Sequence, residues 1–153
     1  MSVTIAIKNI KEEEFFFRNQ EFSKFSEKNL TVGYSLGFDF DESSELFSVG
    51  LRILYSYIDD NKKKTDLMRF FTTTRFHVKG LDKILKPGDG HFNLPDFYMM
   101  TFVSTAWSTT RGMLAYKLAG TFLADYYLPL IDPKEFLKQI KGSGKKSNLE
   151  RNI

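Results

Sequence analysis

The sequence predicts an α+β protein: a four-stranded antiparallel sheet with one long helix and one short C-terminal helix packed on a single face. Three observations predict it. Three long runs alternate apolar and polar residues and are joined by short polar turns, a stretch of helical composition follows, and a second helix start is spelled out at Asp132. A chain of 153 residues suits one domain, large enough to bury roughly 68–70% of its unfolded surface.

The N-terminal run VTIAIKN places Val3, Ile5 and Ile7 on one side of a short strand. After KEEE come Phe15, Phe16 and Phe17, which present rings to both faces if extended. Leu30, Val32, Tyr34, Leu36, Phe38 and Phe40 then point one way without a break, with Thr31, Gly33, Ser35, Gly37 and Asp39 opposite them. DESSE reads as a hairpin connection, and the next strand carries Phe47, Val49, Leu51, Ile53, Tyr55 and Tyr57 on one face. DDNKKK marks another turn. The last strand sets Met68, Phe70, Thr72, Thr74, Phe76 and Val78 inward and a mixed row, Arg69, Phe71, Thr73, Arg75 and His77, outward. Short turns make the strands antiparallel. One apolar face needs a cover.

PGDG at Pro87–Gly90 reads as a loop, and Pro95 with Asp96 suits a first helical turn. The helix then runs to Ala119, about 37 Å at 1.5 Å per residue, and Gly120 fits the left-handed position after its end. Its middle is rich in small residues, among them Ser108, Thr109, Gly112 and Ala115, which permit close approach of a neighbouring helix. At the second helix Asp132 is the N-cap, Pro133 the first residue and Glu135 the third, with Ile131 and Phe136 at the hydrophobic-staple positions. Phe136, Leu137 and Ile140 supply its apolar stripe. Residues 1–141 make the domain, and 142–153 read as a flexible basic tail.

Composition narrows the chemistry. With no cysteine and only His77 and His91, disulfides, thiolate zinc sites, thiol nucleophiles and His-rich metal sites are excluded, and no cofactor is expected. The net charge of +3 comes partly from Lys62–Lys64 and the tail, with no cationic stripe along a helix, so nucleic acid is not an expected partner. No apolar run approaches the roughly 20 residues that span a bilayer, and Met1–Lys8 already alternates like a strand, so a cytoplasmic protein without membrane contact is expected.

No catalytic constellation stands out. PGDGH lacks the remaining glycines of a phosphate-binding fingerprint, and STTRG reads as mid-helix packing. Glu12–Glu14 alternate faces and suit a solvated edge or an acidic docking patch. Asn29–Thr31 matches a glycosylation acceptor by chance. An enzyme is not expected.

The connection between the helices, TFLADYYLPLIDPKEF, is unusual. Connections are normally polar, yet seven of its first eleven residues are bulky and apolar: Phe122, Leu123, Tyr126, Tyr127, Leu128, Leu130 and Ile131. Sixteen Phe and seven Tyr in the whole chain are a heavy load for one small core. Either the crossover folds back over the core, or it lines an exposed apolar groove.

The order and spacing of these elements resemble the SecB family of bacterial export chaperones, over roughly Val3 to Ile140. VGYSLGFDF through TTTRFHVKGL is similar to that family's three strands and short turns. STTRGMLAYKLAGTFLADYYLPLIDPKEFLKQI resembles its long helix, glycine, apolar crossover and second helix. The resemblance implies a homotetramer and an ATP-independent holdase that keeps preproteins unfolded for translocation. It implies client contact at Phe122, Leu123, Tyr126, Tyr127, Leu128, Leu130 and Phe136, with Phe15 and Phe17 as further candidates. It also implies subunit packing at Ser108, Thr109, Gly112 and Ala115. Members typically present an acidic sheet surface to the motor SecA. Here Arg69, Arg75 and His77 stand on that strand, which predicts weakened SecA contact. Two alternatives stay open: a SecB-like chaperone dedicated to one client such as an antitoxin, and a small-ligand module with its pocket between sheet and helices.

Overall fold

A computed structural model describes residues 2–22, 24–88, 91–142 and 148–152. Alternation becomes a sheet of strands β1 (Thr4–Phe17), β2 (Leu30–Asp41), β3 (Leu46–Ile58) and β4 (Lys64–Lys79), with a 3₁₀ turn at Glu27–Asn29 before β2. All neighbours are antiparallel, in the order β1-β4-β3-β2. A single-turn helix, α1 (Leu81–Ile84), and the short pair β5 (Lys86–Gly88) and β6 (His91–Asn93) lead to the long helix α2 (Asp96–Leu118). Helix α3 (Pro133–Gly142) follows, and β7 (Asn148–Asn152) pairs with β2.

Polar side chains close the two tight turns. Asp41 accepts hydrogen bonds from the Ser43 and Ser44 hydroxyls at 2.6 and 2.9 Å, which hold its carboxyl below the usual carboxylate range. Asp59 accepts from the backbone N–H groups of Asn61 and Lys63, both at 2.9 Å. Each turn spends one residue at positive φ, Glu45 and Lys62.

The core lies between the sheet and α2. Phe102 of the helix stacks on Phe47 at 4.7 Å and meets Phe76 at 4.8 Å. The buried Thr72 and Thr110 hydroxyls, 2.7 Å apart, satisfy one another where strand and helix touch. Met99, Phe102, Val103, Ala106, Trp107, Thr110, Leu114 and Leu118 form the buried helical stripe, at the spacing a 3.6-residue period requires. Gly120 takes φ of 79°, the left-handed conformation expected just past the helix end.

Two elements differ from expectation. The N-terminal strand does not end with the short run at Val3–Asn9: β1 continues to Phe17 through irregularities between Ile7 and Asn9 and between Glu12 and Glu14. Each extra residue re-phases the strand, so Ile5, Ile7, Ile10, Glu12, Phe15 and Phe17 all stand opposite helix-side residues of β4. Of the tail expected to be flexible, residues 143–147 and 153 lie outside the described residues, whereas Asn148–Asn152 is paired, with Leu149 opposite Tyr34. An edge strand offers unpaired backbone groups that a short segment can satisfy without an apolar pattern of its own.

Candidate functional site

The crossover between α2 and α3 runs inward, and three side chains receive its backbone. The Tyr55 hydroxyl donates to the Tyr126 carbonyl at 2.7 Å, the Trp107 indole to the Pro129 carbonyl at 2.9 Å, and Arg111 Nε to the Leu128 carbonyl at 2.8 Å. These bonds let an apolar connection dip beneath the surface without orphaned carbonyls. Burial pushes the Tyr55 phenol above the ordinary tyrosine range. Burial, then the Glu27 and Asp125 carboxylates, raises the Tyr126 phenol as well.

The clamped backbone sorts the crossover side chains into two sets. Leu123, Leu128 and Phe136 belong to the core, at 0%, 1% and 3% exposure, which corrects the expectation that they face a client. Phe136 meets Tyr34 at 5.6 Å and Trp107 at 5.8 Å, sealing α3 onto the sheet and α2. Tyr127 and Leu130 point outward, 56% and 79% exposed, and Phe122 and Tyr126 are half-buried.

Around Phe122 the structure gathers aromatics from distant parts of the chain. Phe17, at the end of β1, lies 5.6 Å from it; Phe22 and Phe25, from the β1–β2 connection, lie 5.5 and 5.9 Å away. Phe25 also meets Tyr126 at 5.6 Å and stacks on Tyr57 at 5.2 Å. An open concavity of about 740 Å³ adjoins this cluster, lined by Phe17, Phe22, Phe25, Thr121 and Phe122 among others. A second, of about 650 Å³, is also lined by Phe22 and lies beside Tyr57, among Lys24, Asp59, Asp60 and Lys63.

Phe15 is separate from this cluster. Its ring meets Phe70 edge-on at 5.9 Å beneath Lys117, whose ammonium sits 4.6 Å above it and 2.8 Å from Glu12. With Ile7 and Ile10 it forms an exposed apolar row along the edge strand. Ser108 and Gly112 face outward on α2, with Thr109 and Ala115 half-buried. A Cβ added at Gly112 meets nothing within 4 Å, so no neighbour in this chain uses the room that glycine leaves.

Glu12, Glu13 and Glu14 do not form one patch: Glu12 binds Lys117 on the helix side, whereas Glu14 pairs with Arg69 at 3.0 Å on the outer face. Arg69 also lies 3.6 Å from Asp66 and 4.4 Å over the Phe16 ring, and Arg52 covers Phe71 at 4.3 Å. His77 faces outward, 3.6 Å from Glu45. Among the described residues no group of three or more His, Cys, Asp or Glu could hold a metal ion, and no helix is long and apolar enough to cross a membrane.

Sequence reasoning missed Phe22, Phe25 and Tyr57 as members of the aromatic cluster, and Tyr55, Trp107 and Arg111 as its supports. Two phenylalanines in the otherwise polar RNQEFSKFSEKN were the available signal. No protein family's sequence profile matches the chain, and no curated protein shows significant similarity to it.

Proposed function

We propose that this chain is an ATP-independent holdase, a chaperone that binds unfolded polypeptide segments and keeps them from aggregating. One observation carries the reading: exposed and half-buried aromatic and apolar residues at the end of β1 and along the crossover, Phe17, Phe122, Tyr126, Tyr127 and Leu130, with an open concavity beside Phe17 and Phe122. Exposed apolar surface marks interaction sites, and aromatic side chains carry a large share of the energy of protein interfaces. Client contact falls to these residues.

The resemblance to SecB proteins supports the same reading and adds a cytoplasmic homotetramer working in protein export, or one dedicated to a single client. The exposed row of Ile7, Ile10 and Phe15 on β1, an edge strand of the sheet, favours a second copy as its cover. The small outward residues of α2, centred on Gly112, suit a further subunit contact. Arg69 and Arg75 on the outer face argue for weak contact with SecA. The small-ligand reading has less behind it: the space between α2 and α3, lined by Met99, Val103 and Phe136, holds about 10 Å³, the volume of about one water probe.

The test is direct. A chemically denatured reporter protein, diluted into buffer without nucleotide, should scatter less light when this protein is present at stoichiometric amounts. Unchanged aggregation at a severalfold excess would rule the holdase reading out.

A further inference from the structure

The aromatic groove is already occupied by the chain itself. Phe22 and Phe25 sit three residues apart on the connection between β1 and the 3₁₀ turn, and their rings meet edge-on at 5.2 Å. Both touch Tyr57, at 4.8 and 5.2 Å, and both touch Phe122. Phe25 reaches Tyr126, one of the residues assigned to client contact.

Few hydrogen bonds hold the described residues of this connection. Arg18 N–H donates to the Leu67 carbonyl at 2.8 Å at its start, and Ser26 N–H donates to the Tyr57 hydroxyl at 3.1 Å at its end. Between them, Asn19–Phe22, Lys24 and Phe25 make no hydrogen bond or ion pair among the described residues. Segments with few backbone hydrogen bonds open at lower free-energy cost than paired ones, and the ring contacts that hold this one are of the kind an aromatic client segment can replace. Phe22 lines both open concavities; the second is largely polar, with Lys24, Asp59, Asp60 and Lys63 around Tyr57. Lifting Phe22 and Phe25 would uncover the rings they cover, Tyr57, Phe122 and Tyr126.

We infer that Phe22 and Phe25 are a built-in stand-in for the client, and that the groove selects polypeptide segments carrying two aromatic residues three positions apart on a bent backbone. This rests on the holdase reading and adds to it the recognised segment and its control. The geometry supplies the specificity. In an extended chain, residues three apart point to opposite sides, whereas here both rings enter one site, so the accepted backbone is turned. A client must displace the two rings. If the groove is free a tenth of the time, apparent affinity falls about tenfold.

The experiment uses a fluorescein-labelled synthetic peptide with the sequence of residues 18–27 and reads its anisotropy against the full chain. The double variant Phe22→Ala with Phe25→Ala should bind the peptide at least about tenfold more tightly than the unaltered protein. A peptide with alanine at both aromatic positions should bind neither. Equal affinity for the two proteins, or no binding by a folded double variant, overturns the inference. If the double variant fails to fold by circular dichroism, the single variants carry the test, each expected to gain at least about threefold. Aggregation of the denatured reporter is followed in parallel. Tighter peptide binding without reporter protection sustains the self-occupied groove and sinks the holdase reading; protection with unchanged peptide affinity does the reverse.

Discussion

The Tyr55 hydroxyl donates a 2.7 Å hydrogen bond to the Tyr126 carbonyl, tying an interior strand of the sheet to the crossover 71 residues later. Replacing Tyr55 with phenylalanine keeps the buried ring and removes the donor. A net loss of about 0.5–1.5 kcal/mol is expected, seen as a melting temperature lower by roughly 1–6 °C for a domain of this size.

The burial of the same tyrosine gives a pH signature. Burial raises the Tyr55 phenol, so the folded chain keeps this proton to higher pH than the unfolded chain, whose tyrosines titrate near about 10. Its contribution to stability is therefore complete below about pH 10 and lost as pH rises beyond it. Tyr126 is shifted in the same direction. Urea unfolding from about pH 8 to about pH 11 should show this decline, and Tyr55→Phe should decline less steeply. Identical slopes would contradict the assignment.

Crossover residues should separate into binding and folding roles. Tyr126→Ala with Tyr127→Ala should weaken capture of an unfolded client at least about tenfold, since interface aromatics commonly contribute more than about 2 kcal/mol, while the melting temperature moves only slightly. Phe136→Ala should do the opposite, costing about 3–5 kcal/mol of stability because its ring is buried against Tyr34 and Trp107. A Tyr126/Tyr127 double variant that melts far earlier yet captures clients normally when folded would return the crossover to a purely structural role.

Assembly is read by light scattering, where a tetramer should give about four times the 17.8 kDa chain mass. Gly112→Leu should shift that mass toward dimer or monomer. Because a Cβ at Gly112 meets nothing within 4 Å in this chain, the substitution should leave the protomer's own packing intact and report on the contact between copies. Unchanged mass would move the subunit interface elsewhere.

By itself the sequence determined the local architecture. Unbroken alternation in β2, β3 and β4, the Asp41 and Asp59 turns, Gly120 after α2 and the Asp132 cap of α3 all depend on neighbours in the chain, so residue order carries them. Asp132 indeed accepts from the Lys134 N–H at 2.9 Å, as an N-cap should.

What only the tertiary structure decided is which apolar residues are core and which are surface. Leu123 and Leu130 are chemically alike and lie in one short connection, yet one is fully buried and the other 79% exposed. The difference comes from the Tyr55, Trp107 and Arg111 bonds that fix the backbone between and beside them, and those donors come from other elements. The faces of β1 were likewise settled by two irregularities opposite β4, since one inserted residue reverses every side chain beyond it. The aromatic cluster unites Phe17, Phe22, Phe25, Tyr57, Phe122 and Tyr126, residues brought together by long-range packing that no local pattern encodes.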